Sequence, residues 1–117
     1  MRFFLILLGV CAAAAAASAH AFLDHAVPAV GATVPTAPPV LRLYFSERVE
    51  PVFSGAELAT SAGNPIQTGA ATLDPQNPAA LVVRLPPLQP GRYRVRWHVV
   101  SVDTHRTEGS FEFEIRQ

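Results

Sequence analysis

Asp103 and His105, separated only by Thr104, are the first residues in the sequence with chemistry to offer. A carboxylate and an imidazole two positions apart project to the same side of an extended backbone and can converge on one point. Alone, Asp-x-His is also what an ordinary solvated loop contains. His20 changes its meaning. It directly follows Ala17-Ser18-Ala19, the small-x-small pattern cut by signal peptidase. Cleavage after Ala19 gives His20 a free α-amine beside its own imidazole. Both groups deprotonate near neutral pH, and together they can chelate a metal in a ring.

Two nitrogens from His20, one from His105 and one oxygen from Asp103 make an N3O donor set. Such a set suits tetragonal Cu(II), the divalent first-row ion of highest intrinsic affinity. The single cysteine, Cys11, and the single methionine, Met1, both lie before the cut. The processed chain therefore offers no soft ligand for Cu(I), no disulfide and no cysteine for a cupredoxin-type site.

The segment before the cut reads as an export signal. Arg2 supplies the positive charge, Phe3 to Val10 is apolar apart from Gly9, and a run of alanines follows. The apolar stretch is short for a retained anchor. Val10 before Cys11 does not fit the small residue of a lipoprotein signal. Residues 1–19 are thus expected to be removed and residues 20–117 to form one domain. After cleavage eight arginines, no lysine and nine acids remain, one negative charge in excess. There is no basic stripe for nucleic acid or an anionic membrane. Eleven prolines, all after residue 19, argue against long helices.

The elements that must position His20, Asp103 and His105 read as strands. Val40 to Ser46 alternates, with Leu41, Leu43 and Phe45 on the face expected to point inward. Gly91 to Val100 alternates with Tyr93, Val95, Trp97 and Val99 on one face and Arg92, Arg94, Arg96 and His98 on the other. Ser110 to Ile115 carries Phe111, Phe113 and Ile115 opposite Glu112 and Glu114. If these last two strands are neighbours, cross-strand ion pairs are expected. Weaker strand patterns cover His20 to His25, Gly55 to Thr60, Gln67 to Leu73 and Ala80 to Leu85. Asp74 to Pro78 reads as a turn-rich loop, and Ser101 to Gly109 as the connection between the two strongest strands. About seven short strands in one domain predict an all-β fold, a single antiparallel β-sandwich of Greek-key or immunoglobulin-like type.

Three stretches carry a family resemblance. They are Tyr44-Phe45-Ser46-Glu47, the segment Gly91-x-Tyr93-x-Val95-x-Trp97-x-Val99-Val100-Ser101-x-Asp103-x-His105, and Gly109-x-Phe111-x-Phe113. With a leading His after signal cleavage, they make residues 20–117 resemble the CopC family of periplasmic copper-binding proteins. The resemblance implies a β-sandwich and one Cu(II) per chain, with His20, Asp103 and His105 as the metal ligands. It also implies a periplasmic location and a CopD-type inner-membrane copper transporter as partner. Glu47 takes the position of a residue near the copper that could orient a ligand imidazole. Some CopC-like proteins add a Met-rich loop that binds Cu(I). Here Ser54 to Gln67 has neither methionine nor histidine, which points to a Cu(II)-only member. His25 is expected at the surface or partly buried, and His98 facing solvent or between the arginine stems, both away from the metal.

The leading reading is a monomeric copper carrier or store acting in copper homeostasis, resistance or uptake, not an enzyme. A second is a copper oxidase or monooxygenase, because an N-terminal His chelate also resembles the histidine brace of those enzymes. The anionic Asp103 favours Cu(II) and works against redox cycling. A third is a structural or adhesion sandwich in which His20 is incidental. It predicts no tight copper binding.

Overall fold

The computed structural model describes residues 20–116. The expected export signal, residues 1–19, lies outside them. Among the described residues nine strands form two facing sheets. They are β1 (Leu23–Val27), β2 (Thr33–Val34), β3 (Val40–Phe45), β4 (Gly55–Thr60), β5 (Pro65–Ile66), β6 (Thr72–Asp74), β7 (Asn77–Arg84), β8 (Gly91–Val100) and β9 (Arg106–Ile115). One sheet has the order β1-β3-β7-β6 and the other β2-β9-β8-β4-β5. All pairings are antiparallel except β2 with β9. The only helical turn among the described residues is a 3-10 turn at Pro51–Phe53, and no helix there is long and apolar enough to cross a membrane.

Alternation decides the core. The inward faces of β3, β8 and β9 bury Leu41, Leu43, Phe45, Tyr93, Val95, Val99, Phe113 and Ile115 between the sheets. Trp97 meets Phe45 edge-on at 5.3 Å between ring centroids, and Tyr93 stacks on Phe113 at 5.6 Å. The Tyr93 hydroxyl donates to the Gln89 carbonyl, so its polar tip is satisfied as its ring is buried.

The strand count exceeds the expected seven for a topological reason. Of the predicted strand Gln67 to Leu73 only Thr72 and Leu73 are strand, in β6; residues 67–71 carry the chain across from β5, just ahead of them in one sheet, to β6 in the other. β2 adds a two-residue parallel contact at the end of β9. The expected loop Asp74 to Pro78 is a tight hairpin in which Asp74 pairs with Asn77, so β7 begins before Ala80. β9 likewise begins at Arg106 rather than Ser110, because its pairing with β8 continues to Val100 opposite Arg106. Those two strands are neighbours, with Arg92 opposite Glu114 and Arg94 opposite Glu112. The expected ion pairs do not close within 4 Å among the described residues. Glu114 takes the Thr33 hydroxyl instead, at 3.3 Å. Exposed pairs of this kind are worth at most about 1 kcal/mol, too little to immobilise two long side chains.

Gly109 faces Trp97 across the β8–β9 ladder. A Cβ there would fall 2.6 Å from the indole Cζ2, in a ring held in the core. Gly109→Ala should therefore displace Trp97 and destabilise the fold by about 1–3 kcal/mol, the usual range for overpacking. Thermal unfolding should show a Tm lowered by at least about 4 °C. An unchanged Tm would mean the indole can retreat without loss.

Candidate metal centre

The end of β8, the start of β9 and the chain ahead of β1 meet at one end of the sandwich. β8 and β9 are joined by Ser101 to His105, closed by the Ser101 N–H donating to the His105 carbonyl at 2.9 Å. The Thr104 N–H donates to the Ser101 carbonyl at 2.8 Å. Thr104 adopts a left-handed backbone, φ +73°, which a β-branched residue rarely tolerates and which marks this turn as strained. Asp103 and His105 are thus brought together by a tight turn, not by the extended backbone expected from their spacing. Residues 48–50 pack alongside: Val49 bridges to Ser101, and the Val102 N–H donates to the Arg48 carbonyl.

Ser101 organises this turn. It is fully buried, its hydroxyl donates to Asp103 Oδ1, and it accepts the His105 N–H at 3.3 Å. The second Asp103 oxygen lies 3.2 Å from His105 Nδ1. The Ser101 hydroxyl, with the His105 ring and backbone adding to it, holds the Asp103 carboxyl below the usual carboxylate range. A carboxyl with a depressed folded-state pKa contributes stability that is present above its unfolded pKa. That contribution is lost as pH falls through the folded value. Ser101→Ala removes the largest cause, so Asp103 should titrate at higher pH in the variant. An NMR titration of its carboxyl carbon reads this directly, and superimposable curves would remove Ser101 as the cause.

His20 reaches the same place from the other end of the chain. Its ring lies 4.7 Å from the His105 ring, edge to face, and 6.1 Å from the Phe22 ring. His20 Nδ1 is buried and has no hydrogen-bond partner among the described residues. This is the ring nitrogen that can close a six-membered chelate with the nitrogen of the same residue. A buried nitrogen without a partner is costly unless something else engages it. The adjacent residues are anchored. Ala21 is fully buried and its carbonyl accepts from the Thr107 hydroxyl. The Phe22 N–H donates to Ser46 Oγ at 2.9 Å.

The structure brings His20 beside His105 and Asp103 beside His105. It does not draw three His, Cys, Asp or Glu side chains onto one point among the described residues. Both Asp103 oxygens are engaged locally, and the second His20 nitrogen of the expected donor set belongs to the main chain. Glu47 is half-buried in the bend after β3, with no hydrogen bond or ion pair to these residues among those described. Its neighbour Ser46 makes the contact with the N-terminal segment instead. His25 is exposed, stacked on Tyr44 at 4.2 Å and hydrogen-bonded to Asp24. His98 is half-buried on the outer face of its sheet, opposite Gly55 and Glu108. Sequence reasoning did not single out Ser46, Ser101 or Thr107. Ser46 and Ser101 stood inside the motifs already quoted, as hydroxyls at the ends of apolar strands.

Comparison with known proteins places this arrangement in a family. Residues 23–116 match the CopC domain model. The protein YobA of Escherichia coli strain K12 is 44% identical over 99 residues, covering 84% of this chain and 80% of the relative. The crystal structure of CopC from Methylosinus trichosporium OB3b superposes with a TM-score of 0.77 at 32% identity, covering 82% of this chain and 93% of that one. PcoC of Escherichia coli, described as a methionine-rich copper resistance protein, superposes with a TM-score of 0.74 at 33% identity, over 84% of this chain and all of that one. The two-sheet sandwich is thus shared in sequence and in fold with CopC and PcoC, and the chain belongs to the CopC family.

Proposed function

We propose that this chain is an exported Cu(II) carrier or store, with one Cu(II) per chain as its cargo. In this reading the ion is held by the α-amine and imidazole of His20, by His105 and by Asp103. The observation that carries it is His20 Nδ1, buried without a partner and beside the His105 ring. With His105 Nδ1 turned to Asp103, the Nε2 atom is left for the metal. The same contact fixes the ring, as a carboxylate does for many ligand histidines. Asp103 becomes a direct ligand by releasing one of its two local contacts.

Residues 20–117 form the functional domain in this reading, after removal of residues 1–19. Until that cut, the His20 nitrogen is a peptide amide and the chelate is incomplete. The set contains no sulfur, and residues 20–117 contain no cysteine or methionine, so Cu(II) rather than Cu(I) is the ion held. The protein acts as a periplasmic monomer and not as an enzyme, and it hands copper to a CopD-type inner-membrane transporter.

The test is a titration of protein beginning at His20 with Cu(II) and, separately, with Cu(I), followed by EPR. One tight equivalent of Cu(II), a nitrogen-rich tetragonal signal and weak Cu(I) binding are expected. Weak or multiple Cu(II) binding, or a signal without nitrogen couplings, would overturn the assignment.

A further inference from the structure

The segment that carries His20 is gripped from both sheets, and the two grips are hydroxyl groups to which no role has been given. The first is Thr107 in β9. It sits on the inward face of its strand, in line with Gly109, Phe111, Phe113 and Ile115, where an apolar side chain would serve the core. A hydroxyl there requires a partner. It has one in the carbonyl of Ala21, a residue with 0% of its surface exposed. The second grip is Ser46, just after β3 in the opposite sheet. Its hydroxyl accepts the Phe22 N–H at 2.9 Å and faces the His20 carbonyl at 3.4 Å. Its own N–H donates to the Phe22 carbonyl at 2.8 Å. One serine thus brackets the backbone on either side of Ala21, using its donor and its acceptor capacity together.

These contacts constrain His20. Its carbonyl faces Ser46, and the next residue is buried and bonded to Thr107, so little freedom remains beyond rotation about bonds of His20 itself. Thr107 also stands two residues beyond His105 on the same run of chain. One short piece of backbone therefore carries one histidine and anchors the segment bearing the other. We propose that Thr107 and Ser46 are positioning residues: by clamping Ala21 and Phe22 they hold the His20 ring against His105 before any metal arrives. The role of this preorganisation in copper binding rests on the function proposed above. Ordering the terminus in advance removes that entropic cost from binding.

The experiment uses protein beginning at His20 with Thr107→Val, Thr107→Ser and Ser46→Ala. Two readouts are taken on metal-free protein: hydrogen exchange of the Phe22 amide, and the NOE between the His20 and His105 rings. Two are taken with Cu(II): affinity and the EPR spectrum. Thr107→Val and Ser46→Ala should expose the Phe22 amide, weaken the NOE, lower Cu(II) affinity by about tenfold and change the EPR spectrum, since each removes a hydrogen bond. Thr107→Ser keeps the hydroxyl and should restore all four readouts.

Wild-type behaviour of both Thr107→Val and Ser46→Ala would overturn the proposal. So would failure of Thr107→Ser to rescue, which would reduce Thr107 to a packing role. If the parent protein binds no tight Cu(II), the carrier reading falls. The NOE and exchange data then still decide the clamp: loss in the variants with rescue by serine upholds it, and no change rejects it.

Discussion

Adding one glycine before His20 should lower Cu(II) affinity by more than about 100-fold while leaving the fold intact. Outer-shell partners of metal ligands are worth roughly 10–100-fold, and here two first-shell features go at once. The α-amine moves to a new residue, and the nitrogen left on His20 becomes an amide that must lose a strongly held proton to bind. The six-membered chelate with Nδ1 is broken. Nothing in the core changes, because the buried residues begin at Ala21. Parallel titrations of the two proteins, with a thermal melt of each, measure both halves of this statement. Equal affinities would remove the His20 amine from the site and leave His105 and Asp103 without their principal partner.

His105→Ala should produce a loss of similar size by a different route. It removes one imidazole donor and also the side chain against which Asp103 Oδ2 rests. The EPR spectrum should lose a nitrogen coupling while the His20 chelate persists, which separates this variant from the extended protein. Stability should move by no more than about 0.5 kcal/mol, because the His105 side chain is 54% exposed. Its main-chain N–H and carbonyl keep their partners in Ser101. Retention of full affinity with an unchanged spectrum would exclude His105 as a ligand and shift the site toward His20 and Asp103 alone.

What the sequence determined by itself was the set of faces. Alternation in β3, β8 and β9 named the core residues Leu41, Leu43, Phe45, Tyr93, Val95, Trp97, Val99, Phe111, Phe113 and Ile115, and all are buried. This was legible because the side-chain period of a strand is local and needs no knowledge of the partner strand. The family motifs were legible for the same reason. The absence of sulfur after residue 19 needed only counting.

The tertiary structure decided what depends on contacts between distant segments. The loss of strand from Gln67 to Ala71 follows from a crossing between sheets, which has no local signal. The idea that Asp103 and His105 converge through an extended backbone gave way to a strained turn, because pairing of β8 with β9 runs on to Arg106 and leaves no room for a strand there. Glu47 was singled out, yet its neighbour Ser46 touches the N-terminal segment. Which residue of a bend meets the N-terminal segment is set by the tertiary contact, not by the local sequence. Ala21 and Thr107 stand 86 positions apart, and no spacing rule joins them. Their contact exists because a fully buried carbonyl must find a donor, and the closing of the two sheets supplies one beside the two histidines.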